Sequence, residues 1–188
     1  MKITGKRKMD ELEAREQKRA LDEILSAYTL DHRFIAADIC RMHKIWLDGI
    51  YQWAGLYRQV NLSKGSFPFA AALRIPDLMG TFQKETLQRF TPCLLATRPE
   101  IVHALAVVHT ELVLIHPFRE GNGRLARMLA MVMAVQSGLP PLDFGNLKGR
   151  KKQEYFRAVQ AGMNYDYGSM EEILTGVIER TLRLRFQP

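Results

Sequence analysis

The chain has 188 residues and a formal charge of +7, with 47% hydrophobic and 25% charged residues. Those fractions exclude a disordered polymer and leave enough apolar material for one buried core. No apolar run reaches the ~20 residues that span a bilayer, and the opening "MKITGKRKMDELEAREQKRA" lacks the apolar centre of a secretory signal, so a soluble, cytoplasmic protein is expected.

Residues 9–26 combine strong helix formers with mixed charge and predict an exposed amphipathic helix. Residues 34–47 predict a second, with Ile35, Ile39, Met42 and Trp46 at helical spacing. Residues 57–71, "YRQVNLSKGSFPFAA", are β-prone and broken at Lys64-Gly65-Ser66, which predicts a small hairpin. Pro68 keeps it out of a central sheet, so it should stand as an exposed flap. Residues 74–89 return to a helical pattern.

"TRPE" at 97–100 is a capping box that opens a helix running to Ile115. Ala104, Leu105, Val108, Leu112 and Ile115 share one face, and the other faces are also largely apolar, so this helix should be central. Pro117 can end it. A second apolar helix spans about 123–136 and stops at "SGLPP". Another covers 149–161, and "SMEE" at 169–172 should cap the last one. The expected fold is all-α, about seven helices with one hairpin, in a single domain over 1–188, with 1–33 as an N-terminal helix and lead-in and 34–185 as the core.

Cys40 and Cys93 read as reduced core residues, and no CxxC or His/Cys cluster suggests zinc. The basic residues are interleaved with acidic ones over many helices, the pattern of a solvated surface. Attraction of a polyphosphate ligand is a second reading of the excess charge, whereas nucleic-acid binding would rest on net charge alone.

Between the two central apolar helices lies "HPFREGNGRLAR", residues 116–127. Gly121 and Gly123 permit backbone conformations closed to other residues. At a helix start they leave N–H groups pointing outward, an anion nest reinforced by the helix dipole. Arg124 and Arg127 lie one turn apart and can face the same anion, with forked hydrogen bonds suited to phosphate. Glu120 is the one carboxylate in this loop, and magnesium is typically held by one or two carboxylates with substrate phosphates and water. His116, of a residue type whose ordinary pKa is about 6.5, is the natural general base. Each residue alone has an ordinary reading as cap, turn or surface charge; their concentration in one loop points to attack on an activated phosphate.

The same stretch resembles the signature of the Fic (filamentation induced by cAMP) family, HPFx(D/E)GNGRxxR, and matches it at every fixed position. Residues 42–70, "MHKIWLDGIYQWAGLYRQVNLSKGSFPFA", resemble the segment of that family that ends in its flap, and "EYFRAVQAG" near the C-terminus is also similar. The resemblance implies a helical Fic fold with the flap of 57–71 over an active-site loop of 116–127. It implies transfer of AMP from ATP, with Mg²⁺, to a Tyr, Thr or Ser hydroxyl of a target protein. His116 would be the base and Glu120 the metal ligand. Gly121, Asn122 and Gly123 would cradle phosphates through backbone and amide, Arg124 would bind phosphate, and Arg127 would hold the loop or contact phosphate. Phe118 would belong to this nucleotide site by packing inward and positioning His116, and Tyr155 would lie near the adenine or in the core. Lys64, Gly65 and Phe67 would dock the target by β-augmentation, with Phe69 either joining them or packing the hairpin. His103, His109 and Glu111 read as hydrogen-bonding within the core, and Trp46 and Trp53 as packing; His32 and His43 carry no signal.

One branch of the family has Lys where Gly123 stands and transfers the γ-phosphate; an open nest at Gly123 favours AMP transfer. Transfer of another nucleotide or group, removal of AMP, and a non-catalytic nucleotide-binding module are the alternatives. Family members are commonly silenced by a glutamate in the pattern (S/T)xxxE(G/N), paired with the second motif arginine, here Arg127. Thr81/Glu85 is followed by Thr86 and Thr175/Glu179 by Arg180, so neither completes the pattern, and the N-terminal helix offers no candidate. The expectation is control by a small antitoxin-like inhibitor protein, as in toxin–antitoxin pairs, with inhibition in cis by Glu179 as the alternative.

Overall fold

The computed structural model describes residues 5–147 and 149–186; Lys148 and both ends of the expected 1–188 unit lie outside the described residues. Helices α1 (Lys6–Ala27) and α2 (Ala36–Leu47) are followed by a two-stranded antiparallel hairpin, β1 (Ser63–Lys64) and β2 (Phe67–Pro68). Helix α3 (Ile75–Thr81), a π-helical stretch (Phe82–Leu87) and α4 (Gln88–Phe90) form one continuous rod. Then come α5 (Arg98–Ile115), α6 (Asn122–Gln136), α7 (Arg150–Ala161) and α8 (Gly168–Phe186). With the interrupted rod taken as one, the described residues hold seven helical rods and a hairpin.

The architecture follows from α5. Thr97 caps it: the Glu100 carboxylate accepts the Thr97 N–H at 2.9 Å, and the Thr97 hydroxyl oxygen accepts the Glu100 N–H at 3.4 Å. Beyond the cap most of its side chains on every face are apolar, with His103, His109, Thr110 and Glu111 as the exceptions, and a helix of that kind must be enclosed. Helix α6 packs along one side, α8 and α7 along others, and α1 closes over α2 and α6. Leu105, Ala106 and Leu112 of α5 and Leu125, Met128 and Leu129 of α6 are 0% exposed, and full burial of each leucine or methionine contributes roughly 1.5–3 kcal/mol. The two central helices are joined only by residues 116–121, so this loop is held at both ends by the core.

Several boundaries differ from expectation. Ile35 is the cap of α2 and not one of its buried positions: it is 41% exposed, and its N–H donates to Asp38 at 3.1 Å. Helix α8 starts at Gly168, so Ser169 lies inside the first turn. There Asp166 accepts the Gly168 N–H at 3.1 Å in place of the expected capping box, and Glu171 bonds His103 at 2.7 Å. The hairpin is shorter than 57–71, pairing Ser63 with Pro68 and Lys64 with Phe67 around a Gly65-Ser66 turn. Cys93 is buried and Cys40 half-buried; both are free thiols. No helix of the described residues is long and apolar enough to cross a membrane.

Candidate active site

His116 is the C-cap of α5 and sits in the left-handed region, φ 53° and ψ 57°. Its N–H still bonds Leu112 O at 3.1 Å, so this residue both ends the helix and turns the chain into the loop. A bulky residue in that region is strained, and such strain persists only where surrounding bonds over-determine it. Arg58 supplies them. Fully buried, it donates through Nε to His116 O at 2.7 Å, and through its two Nη atoms to Val60 O and Ala70 O at 2.6 Å each. One guanidinium thereby ties both roots of the hairpin to the loop. The Arg58 N–H adds a bond to Pro117 O at 2.9 Å.

The loop's far side is fixed by His43, also fully buried. Its Nδ1 accepts the Gly55 N–H at 2.8 Å, so its Nε2 carries the proton and donates to Glu120 O at 3.1 Å. Its ring stacks on Phe118 at 3.9 Å. Asn122 closes the loop internally, accepting the Phe118 N–H and donating to Phe118 O, both at 2.8 Å. Gly121 turns at φ +83° into α6; a Cβ there would lie 2.6 Å from the Trp46 ring, so the glycine is required twice over.

These constraints place a cleft of about 710 Å³ over the N-terminus of α6. His116, Glu120, Gly121, Asn122, Gly123, Arg124, Arg127, Tyr155, Lys64 and Phe69 all line it. Gly65 and Phe67 line an adjoining cavity of about 290 Å³ with Lys64, Phe69 and Phe156. Among the described residues of the main cleft, Glu120 is the single carboxylate against Lys64, Arg119, Arg124, Arg127 and Lys152. A wall of that composition at a helix N-terminus suits a polyanion.

The ionisation states fit a base. His116 Nδ1 lies 3.1 Å from Val113 O, an acceptor, so Nδ1 carries the proton and Nε2 is left with its lone pair. Burial pushes the His116 pKa down to about 4, and the Arg58 and Lys64 charges add to this. The ring is therefore neutral well below pH 7, more so than its residue type suggests. Phe69 stacks on it at 3.6 Å, which settles the flap phenylalanine as a neighbour of this histidine. Burial lowers the pKa of Lys64, whose Nζ lies 3.2 Å from the centre of the Phe156 ring, and likewise that of Arg127.

Phe118 packs inward as expected: it is 0% exposed and lines neither cavity, so it belongs to the site by supporting the loop from within and not as a wall of the cleft. Two other expectations are corrected. The Asn122 amide is consumed by loop closure, leaving its main chain for the cleft. Gly123 does not use positive φ; it is an ordinary helical residue whose Cβ would lie 3.9 Å from the Tyr155 hydroxyl. Tyr155 is both buried and on the cleft wall, its hydroxyl 2.8 Å from His109 Nε2.

Glu85 and Glu179 are exposed, and neither lines the cleft; among the described residues no carboxylate pairs with Arg127. The N-terminal helix, by contrast, does deliver a carboxylate: Glu13 lies 2.5 Å from Arg124 Nη2. In the sequence the one signal for Glu13 is its spacing from Ala20 and Ile24, which puts it on the buried stripe of α1. His43 and Arg58, the anchors of the loop, stand in the family-like stretch 42–70 with no local pattern that marks that role.

A Mg²⁺ site fits this chemistry in one form only. Among the described residues no group of three or more His, Cys, Asp or Glu side chains is placed to hold an ion. Of these residues Glu120 is the one carboxylate lining the cleft, its Oε1 accepting the Gly121 N–H at 2.8 Å and facing Arg124 Nη2 at 3.3 Å, which suits an ion bound jointly by one carboxylate, phosphate oxygens and water.

Residues 33–134 match the model of the Fic/DOC family. The chain belongs to that family. A relative from Nematostella vectensis, named protein adenylyltransferase Fic, is 29% identical over 111 residues, which cover 57% of this chain and 25% of the relative. The chain thus spans about a quarter of that curated relative's length. The N-terminal Fic domain of a VirB-translocated effector from Bartonella sp. 1-1C superposes with TM-score 0.76 at 19% identity, over 94% of this chain and 87% of that one. A second effector, from Bartonella tribocorum and solved with bound AMPPNP, gives TM-score 0.74 at 21% identity, covering 93% and 88%. The family-matched stretch of this Fic chain contains His116 and the whole loop, but not α1, α7 or α8.

Proposed function

We propose that the chain is a protein adenylyltransferase, moving AMP from ATP to a Tyr, Thr or Ser hydroxyl of a target protein. The observation that carries this reading is the neutral His116 with Nε2 unprotonated, beside a cleft lined by five cations and one carboxylate. The relatives' name, and the AMPPNP held by one structural neighbour, support ATP as the nucleotide.

In this reading the triphosphate lies across the start of α6, met by main-chain N–H groups and by Arg124 and Arg127. A target strand adds to the hairpin edge, with Lys64, Gly65, Phe67 and Phe69 beneath it. The target hydroxyl oxygen attacks the α-phosphorus as His116 Nε2 takes its proton; the bond to the bridging oxygen breaks, and pyrophosphate leaves. Mg²⁺ held at Glu120 would neutralise phosphate charge as the nucleophile approaches. Gly123 keeps room beside Tyr155 for the nucleotide, consistent with AMP rather than γ-phosphate transfer.

Control is proposed to come from a small inhibitor protein that presents a glutamate to Arg127. The exposed position of Glu179, away from the cleft, weighs against inhibition in cis. The test uses purified chain, Mg²⁺ and α-labelled ATP: label should reach protein. Label arriving from γ-labelled ATP instead would replace adenylyl by phosphoryl transfer. Glu120→Ala should abolish labelling with an unchanged melting temperature; full activity in that variant would remove the metal assignment.

A further inference from the structure

Arg124 is gripped from three sides. Its Nη2 lies 2.5 Å from a Glu13 carboxylate oxygen and 3.3 Å from one of Glu120, and its guanidinium carbon sits 4.7 Å from the centre of the Trp46 ring. Its Nη1 and Nε make no hydrogen bond to the described residues. The grip itself is built from the interior. Glu13 is 3% exposed, the Tyr51 hydroxyl donates to its other oxygen at 2.5 Å, and Trp46 Nε1 donates to its main-chain O at 2.9 Å. Burial and the Glu13 carboxylate hold the Tyr51 hydroxyl far above its ordinary pKa, so it remains a donor.

A carboxylate is costly to bury and is rarely found there without a partner. This one is placed on the inner stripe of α1, beside Ala20 and Ile24, where packing alone would ask for an apolar residue. Its partner is an arginine on the cleft wall. We infer that Glu13 is a positioning residue: α1 delivers its carboxylate to hold the Arg124 guanidinium at the cleft edge with Nη1 and Nε available to a phosphate. An arginine side chain otherwise samples many rotamers, and fixing it before the ligand arrives removes that ordering cost from binding. Helix α1, outside the family-matched residues 33–134, is in this way part of the nucleotide site. The inference rests on the reading that the cleft takes ATP.

The test is a double-mutant cycle on ATP affinity, measured by calorimetry with Mg²⁺ and no target protein, on the full chain. Glu13→Gln keeps the size and removes the charge; it should weaken ATP binding about tenfold, within the range expected when a supporting group lets a site residue drift. Arg124→Ala should weaken it further. In the Arg124→Ala background, Glu13→Gln should cost nothing more, because Glu13 acts only through Arg124. Tyr51→Phe, which leaves the carboxylate and removes one donor to it, should show the same pattern at smaller size and serves if Glu13→Gln folds poorly. Equal losses in both backgrounds, or unchanged affinity, would overturn the inference. So would a rise in label transfer for Glu13→Gln, since the pair would then be a brake. A wild-type chain that binds ATP but transfers no label removes the adenylyltransferase reading alone, whereas one that binds no ATP removes both.

Discussion

The two ends of the active-site loop are held in different ways. From His116 to Asn122 the holds are bonds to main-chain atoms from buried polar groups nearby in the fold: Arg58 to His116 O, His43 to Glu120 O, and Asn122 to both sides of Phe118. At Arg124 the hold is a side-chain ion pair from Glu13, a residue 111 positions away on another helix. The first arrangement fixes a backbone and cannot yield without exposing unpaired carbonyls. The second sets the direction of a side chain at the cleft edge. A base must meet a hydroxyl within hydrogen-bond reach, while an arginine meeting phosphate tolerates more latitude. Changes on the His116 side should therefore cost turnover or folding, and changes on the Arg124 side affinity.

The largest effect expected is at His116 itself. Asparagine accepts the left-handed conformation that this position requires, so His116→Asn removes the base and leaves the turn. Label transfer should fall by roughly 10²–10⁴-fold, the share attributed to a positioned proton acceptor. ATP affinity and helical circular dichroism should stay near wild type. Transfer within a few-fold of wild type would remove His116 as the base.

Next comes Arg58. Arg58→Met keeps the volume but strips three main-chain oxygens of their donors. Each buried unsatisfied group costs about 1–3 kcal/mol, so a loss of about 3 kcal/mol or more is expected, or roughly 6–12 °C in melting temperature for a domain of this size. Transfer should drop as the strained His116 relaxes. Glu13→Gln, as the counterpart at the other end, should lower the melting temperature less than Arg58→Met does; the reverse order would dissolve the contrast between the two ends.

Much of this was legible in the chain because it is local. The capping box at Thr97 and Glu100, the apolar surfaces of α5 and α6, and the polar break between them are patterns within a few turns. The cleft gathers the loop residues because consecutive residues cannot be far apart. What stayed hidden depends on three-dimensional pairing. Glu13 looks like one more surface charge on a helix full of them until Arg124 and Tyr51 meet it. His43 and His109 look alike in sequence, yet one fixes the loop through Glu120 O and the other backs the cleft through Tyr155. Asn122 sits in the motif beside residues that face the cleft, but its amide turns back to Phe118. Gly121 and Gly123 look equal in the chain because the residue type, not the dihedral angle, is what a sequence displays.

A smaller and more diffuse effect concerns acid. Burial lowers the pKa of His43, His109 and His116 to about 4 each, against about 6.5 in an unfolded chain. Above pH 6.5 both states hold the three rings neutral, and stability is unaffected by them. Between pH 6.5 and 4 the unfolded chain binds more protons, so stability falls as pH falls, each ring contributing at most about 1.4 kcal/mol per pH unit. Denaturant midpoints measured at pH 7, 6 and 5 should decrease in that order. A flat or rising series would mean that the rings titrate alike in both states. The loss falls on the His116 end of the loop, where His43 and His116 sit, and on the wall of the cleft that His109 supports through Tyr155; no histidine among the described residues enters the Glu13–Arg124 pair.

The smallest effect, and the finest probe, comes from Gly123, set against Gly121. Gly121→Ala must fold a Cβ into the Trp46 ring at positive φ and should destabilise markedly. Gly123→Ala meets no such obstacle: position 123 is helical, its nearest neighbour to a new Cβ is the Tyr155 hydroxyl at 3.9 Å, and alanine is the better helix former. Its melting temperature should match or slightly exceed that of the wild type. Yet the methyl would sit on the cleft wall, in the space assigned to the nucleotide, so ATP affinity should fall a few-fold with little change in turnover at saturating ATP. A variant that melts higher and binds ATP as well as wild type would show that the phosphates lie elsewhere along the start of α6. A variant that loses turnover but not affinity would place position 123 against the reacting phosphorus instead of the bound chain of phosphates.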